Sequence, residues 1–185
     1  MLKKIQELIF PLSPVEGIPA LKTDIPSRRE FVSFSQAYRI GITCLLTDPE
    51  SQKIIEEYKR DLDRLGYECE VLMFVDKKDK TQTVFLPSFS WEDINRKTRL
   101  PDSPRTERFM LKKFDLLFNL YLNPVDPLLI VSQHAAARCR VAPFLPPFKS
   151  GSDVFIPVDQ KDGLKDLIRK INNTLVLKPY ERRPV

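Results

Sequence analysis

The nearest approach to a nucleophile beside a base in this chain is Ser132-Gln133-His134, a hydroxyl two residues from the single imidazole. The spacing defeats the pairing. On a helix, positions i and i+2 point about 200° apart, so the two side chains face different ways. His134 is better explained as a polar residue at a helix end. No serine lies in a G-x-S-x-G elbow. Carboxylates offer a second chemistry. Asp48, Asp76 and Asp159 each follow an apolar run, and two of them brought together would suit acid–base work or a magnesium ion. Helix capping and strand-end turns already explain each one, and we prefer that explanation.

Phosphate binding has little to build on. The five glycines stand at 17, 41, 66, 151 and 163, too far apart for a backbone to wrap a pyrophosphate, and neither G-x-G-x-x-G nor G-x-x-x-x-G-K-[ST] occurs. The turn Thr47-Asp48-Pro49-Glu50-Ser51 could present helix N-terminal amides to an anion. Pro49 removes one donor, however, and Asp48 and Glu50 repel negative charge. Cys44, Cys69 and Cys139 are odd in number, form no C-x-x-C pair and lie in or beside apolar runs. They fit buried reduced thiols and a cytoplasmic protein. With one histidine, few soft metal ligands remain. We expect no metal, no cofactor and no catalytic residue.

The least ordinary stretch is basic and aromatic. Residues 77–113 carry ten Lys/Arg against five Asp/Glu, and residues 138–185 the same ten against five, while residues 39–76 carry five against nine. Phe85, Phe89 and Trp91 lie near Arg96, Lys97, Arg99, Arg105 and Arg108. Arginines interleaved with aromatics can bind phosphates and stack bases. Phe89 and Trp91 also alternate as the inward anchors of a loop would, a reading we favour. The charge itself has two explanations, an acidic partner such as nucleic acid or an ordinary solvated surface.

The elements that must position these residues follow from periodicity. Residues 39–46 (RIGITCLL) are a nearly continuous apolar, β-branched run, as expected of a strand buried on both faces. Asp48 caps the next helix, Pro49 suits its first position, and Ile54, Ile55, Tyr58, Leu62 and Leu65 fall on one face up to a stop at Gly66. Residues 69–75 (CEVLMFV) complete a parallel βαβ unit. A turn at 77–80 and a short strand at 81–86 are expected next. An irregular basic stretch then leads to a short helix near 108–114. Strands follow at 114–120, 139–144 and 154–158. One helix runs from 128 to 137, and a last one, capped by Asp159, carries Leu164, Leu167, Ile168, Ile171 and Leu175.

Strands alternating with helices imply an α/β three-layer sandwich around a mostly parallel, Rossmann-like sheet of about five strands. This single domain would span residues 38–185, with a basic insertion at 77–113. Residues 1–37 would form an N-terminal arm, a short helix followed by prolines. The chain is long enough to bury a core unaided. Its 42% hydrophobic and 30% charged content is that of a globular protein. No apolar run approaches the roughly 20 residues of a membrane span, and the N-terminus lacks the small-residue cleavage site of a signal peptide.

The run FDLLFNLYLNPVDPLLIVSQHAAARCRVAP, with YRIGITCLL before it, resembles the core of an uncharacterised family from Bacteroidetes, a domain of unknown function (DUF6913-like). The resemblance covers about residues 38–177, and it departs at Ala142, where that family has a glycine. It implies a βαβ start and this element order, and carries no activity. The same strand–helix–strand is also similar to the N-terminal Rossmann half of heptosyltransferase-like GT-B glycosyltransferases. The acceptor-side motif is not matched by LLTDPES, so no catalytic residue transfers.

In a doubly wound sheet, ligands sit outside the carboxyl ends of the strands, which here places Thr47, Asp48, Ser51, Asn119 and Asn123. Two functional expectations follow. The leading one is a non-catalytic binding or assembly protein acting through its arm, basic insertion and tail on a protein or nucleic acid, with Trp91, Arg96, Lys97, Arg99, Arg105 and Arg108 as contacts and a homodimer as a further arrangement. The alternative is a nucleotide or nucleotide-sugar binder, or a glycosyltransferase-like enzyme, using those strand ends.

Overall fold

The computed structural model describes residues 29–76, 84–148 and 151–181. The helix expected early in the arm, the turn at 77–80 and the last four residues of the tail lie outside them. Six parallel strands form one sheet in the order β3-β2-β1-β4-β5-β6. They are β1 (Arg39–Leu46), β2 (Glu68–Val75), β3 (Ser88–Ser90), β4 (Phe114–Leu120), β5 (Ala137–Pro143) and β6 (Val154–Ile156). Helices α1 (Pro49–Arg64), α2 (Pro104–Leu111), α3 (Asp126–His134) and α4 (Leu164–Leu175) flank it. The sheet is the α/β, Rossmann-like arrangement expected, with six strands rather than five.

Each layer follows from a helix stripe meeting one face of the sheet. Ile55 and Leu62 of α1 and Leu167 and Ile171 of α4 pack on the face carrying Ile40, Ile42 and Cys44. Phe109 and Met110 of α2 and Leu128 and Val131 of α3 pack on the face carrying Leu72, Phe74 and Leu117. Both faces being covered, the strands are apolar almost throughout. Gly41 marks a close approach, since a Cβ there would lie 2.9 Å from Leu117 Cδ1. Gly66, with φ +94°, takes the left-handed turn that ends α1.

Val32 and Phe34 are fully buried in the α1–α4 face, and the Phe34 ring meets Phe118 at 5.8 Å. The arm from residue 32 onward is thus part of the core. The tail is tied down as well. Tyr180 packs on Tyr38 and Tyr67, and its amide donates to the Leu65 carbonyl at 2.7 Å.

Several expected boundaries move, each for a local reason. The extra strand is β3 at Ser88–Ser90, not 81–86; of that expected span only residues 84–86 are described. Helix α2 starts at Pro104, because Ser103 caps it by accepting the Thr106 amide at 3.3 Å. Helix α3 stops at His134 instead of 137. The Arg140 side chain takes its last carbonyls, Nε donating to Ser132 O at 2.8 Å and Nη2 to Ala135 O at 2.7 Å. Asp159 does not cap α4. Gly163 occupies that position, and the Asp159 amide instead closes a turn onto Asp162 Oδ2 at 2.7 Å.

Candidate functional site: a crevice at the reversal of strand order

Strand β1 is followed by a crossover to β2 on one side, and β4 by a crossover to β5 on the other. Connections leaving in opposite directions open a crevice between the carboxyl ends of β1 and β4. A cavity of about 500 Å³ occupies that position. One wall is the turn into α1, with Thr47, Asp48 and Ser51. The floor is the end of β4, with Tyr121 and Asn123. Lys161 and Lys165, at the start of α4, form the opposite wall.

The α1 wall is rigid because its polar groups hold each other. The Thr47 hydroxyl donates to Asp48 Oδ2 at 2.6 Å and the Ser51 amide to Asp48 Oδ1 at 2.7 Å. The Ser51 hydroxyl donates back to the Asp48 carbonyl at 2.7 Å. The Thr47 hydroxyl, then the Ser51 amide, hold the Asp48 carboxyl below its ordinary pKa. It is therefore an ionised acceptor, not a proton donor, near neutral pH. Among the described residues, Lys161 and Lys165 make no ion pair. Lys170, five residues beyond Lys165 on α4, is committed to Asp162.

Four of the five residues expected at the strand ends, Thr47, Asp48, Ser51 and Asn123, line this cavity. Asn119 is fully buried within the sheet. It accepts the Thr43 hydroxyl at 2.8 Å, and its amide donates to the Val141 carbonyl at 3.3 Å. It braces three strands instead of facing the crevice. No local signal marks Lys161 and Lys165, because only the return of α4 across the sheet brings them here. Asp76 and Asp159 do not join Asp48 in a carboxylate pair. Asp76 accepts the Trp91 indole N–H, and Asp159 lies 3.6 Å from Lys170.

The basic insertion is elsewhere, on the β3 side of the sheet. Phe89 is 2% exposed and is an anchor, whereas Trp91 is 50% exposed and Phe85 75%. Arg96, Lys97, Arg99, Arg105 and Arg108 are all exposed. Arg105 Nη1 donates to the Ser88 carbonyl at 2.6 Å and so covers part of the sheet edge.

Neither the thiols nor the imidazole is activated. Cys44, Cys69 and Cys139 are buried and unpaired, and burial pushes the Cys69 thiol up to about 12. Burial, then the Arg140 charge, lower the His134 pKa. Among the described residues no group of three His, Cys, Asp or Glu side chains could hold a metal ion, and no helix is long and apolar enough to cross a membrane.

No curated protein matches the sequence. A family of unknown function (DUF6913) matches residues 20–175, from within the arm to the end of α4. The chain belongs to that family.

Proposed function

We propose that this chain is a non-catalytic, cytoplasmic binding protein that takes a small polar ligand, of nucleotide or nucleotide-sugar class, in the crevice between β1 and β4. The cavity itself carries the reading. Its volume of about 500 Å³ falls within the range of small-molecule sites, and it sits where open α/β sheets bind ligands. The two walls differ in chemistry. Thr47, Asp48 and Asn123 offer acceptors suited to hydroxyl or amino groups, and Lys161 and Lys165 offer cations for one anionic group on the wall away from Asp48, offset in part by Glu50 and Asp166, which also line the crevice. Leu45, Ile54 and Leu122 add apolar surface. No histidine or cysteine lines the crevice, and the capping carboxylate is already engaged, which supports binding without chemistry.

A thermal-shift series with nucleoside monophosphates, sugar phosphates and nucleotide sugars tests this. A ligand at ten times its Kd adds about 1.4 kcal/mol, a rise of about 3–5 °C for a chain of this size. The rise should vanish in K161E/K165E. No shift with any of these compounds at millimolar concentration would remove the proposal.

A further inference from the structure

We propose a second, separate site. The rim formed by Trp91, the turn carrying Arg96, Lys97 and Arg99, and the outer face of α2 binds single-stranded nucleic acid. Trp91 is the chain's only tryptophan. Half of it is exposed, yet its orientation is fixed. Its N–H donates to Asp76 Oδ1 at 2.7 Å, and its ring meets Phe74 edge-on, at 5.3 Å and 87°. An anchor would be sunk into the core, as Phe89 is two residues earlier. An indole held along one side and open to solvent is a platform whose ordering is complete before a base arrives.

The turn beside it displays cations by construction. Asn95 closes it from within, its Oδ1 accepting the Lys97 and Thr98 amides at 3.0 and 3.2 Å. The Arg99 amide donates to the Asn95 carbonyl at 2.7 Å, and Ile94 bridges Pro101 across the base of the turn. Backbone and Asn95 supply the fold of the turn, so the side chains of Arg96, Lys97 and Arg99 are not needed for it. Arg99 stands at φ +59°, a left-handed conformation that glycine or asparagine would adopt more readily. The Asp102 amide donates to the Asp93 carbonyl at 2.6 Å, which fixes the approach to α2, where Arg105 and Arg108 follow one turn apart.

Glu92 and Glu107 are also exposed at this rim, and two further acidic side chains nearby are partly committed. Asp93 Oδ2 accepts the Ser90 amide at 2.8 Å and Asp102 accepts Asn95 Nδ2 at 3.2 Å. Lys112, at the far end of α2, is neutralised by Glu68 and Glu70. Among the described residues, Arg96, Lys97, Arg99 and Arg108 make no ion pair. An acidic peptide would satisfy these cations and leave the indole unused. A strand of phosphates with unstacked bases engages both.

The single tryptophan makes the test direct. The full chain is titrated with an oligouridylate of about twelve nucleotides, a length of the order that such grooves cover, while Trp91 fluorescence is followed. We expect saturable quenching that weakens steeply as salt rises. Heparin, a polyanion without bases, should compete without quenching. R96E/K97E/R108E should weaken binding about tenfold or more at low salt. W91F, read by anisotropy of a labelled oligonucleotide, should weaken it several-fold with the salt dependence retained. K161E/K165E, in the crevice, should leave Trp91 quenching and affinity unaltered at about 0.15 M salt, where distant charges are screened, which keeps this result independent of the small-ligand reading. Absence of quenching at low salt, equal quenching by heparin, or unaltered affinity in the triple variant would each overturn the proposal.

Discussion

The crevice between the central strands β1 and β4 and the rim at the outer strand β3 use polar side chains in opposite ways. In the crevice wall, Thr47, Asp48 and Ser51 are bonded to one another and to the backbone that starts α1. At the rim the turn is closed by Asn95, and its cations point outward without partners among the described residues. Arginine shows the contrast within one residue type. Arg140 is 1% exposed and is bound to the end of α3, whereas Arg96 and Arg108 hold nothing in place. Residue type alone does not announce function. What matters is whether the fold already uses the group.

If that contrast is right, stability should respond strongly to committed groups and hardly at all to uncommitted ones. The largest response should come from R140A. It leaves the carbonyls of Ser132, Gln133 and Ala135 without their donor and opens a cavity, a loss of about 3 kcal/mol or more in denaturant unfolding. The native arginine is itself imperfectly satisfied, since its Nη1 has no hydrogen-bond partner among the described residues and burial holds its pKa down. An R140M variant that retains shape should therefore recover part of the loss.

Next comes Asp115, which accepts the Tyr38 and Arg39 amides at 2.8 and 3.0 Å and pairs with Arg138. Burial alone would raise its pKa. The two amides and the Arg138 charge outweigh that and lower it. A carboxyl whose folded pKa lies below its unfolded value stabilises fully above the unfolded pKa, near 4, and loses that contribution as pH falls through the folded pKa. D115N should cost about 1.5 kcal/mol at pH 7, and the difference from the native chain should shrink in unfolding curves taken below about pH 4.

A smaller effect is expected from D48A, which removes the cap of α1, a loss of about 1 kcal/mol. This carboxyl too is held below its ordinary pKa, first by the Thr47 hydroxyl and then by the Ser51 amide. The cost should therefore fade in acid, in the same direction as for D115N. The smallest effect belongs to the rim, where R96E/K97E should leave the melting curve within about 0.5 kcal/mol of the native chain. A large loss there would mean that these cations are structural after all, and the contrast would fail.

Much of the frame could be read in the sequence because it is local. The apolar run of β1, the Asp48-Pro49 start of α1 and its apolar stripe each carry their own signal. Ser103-Pro104 carries the same start signal for α2, but prolines at 101 and 104 are equally the mark of an irregular stretch. The end of α3 was not legible, because no local residue stops it. Arg140 does so from the next strand. The crevice was half legible. Strand-end turns can be counted along the chain, and so Thr47, Asp48, Ser51 and Asn123 were found. Whether a strand-end asparagine faces out or in depends on its neighbours across the sheet, which is why Asn119 belongs to the interior. Lys161 and Lys165 reach the crevice only through tertiary packing.

Binding of a small polar ligand between β1 and β4 is read most plainly by an amide-resolved NMR titration with uridine and adenosine monophosphates. Shifts at Thr47, Ser51, Asn123 and Lys165 should saturate together and disappear in K161E/K165E. An unperturbed crevice at millimolar ligand, or shifts confined to residues 91–108, would contradict it.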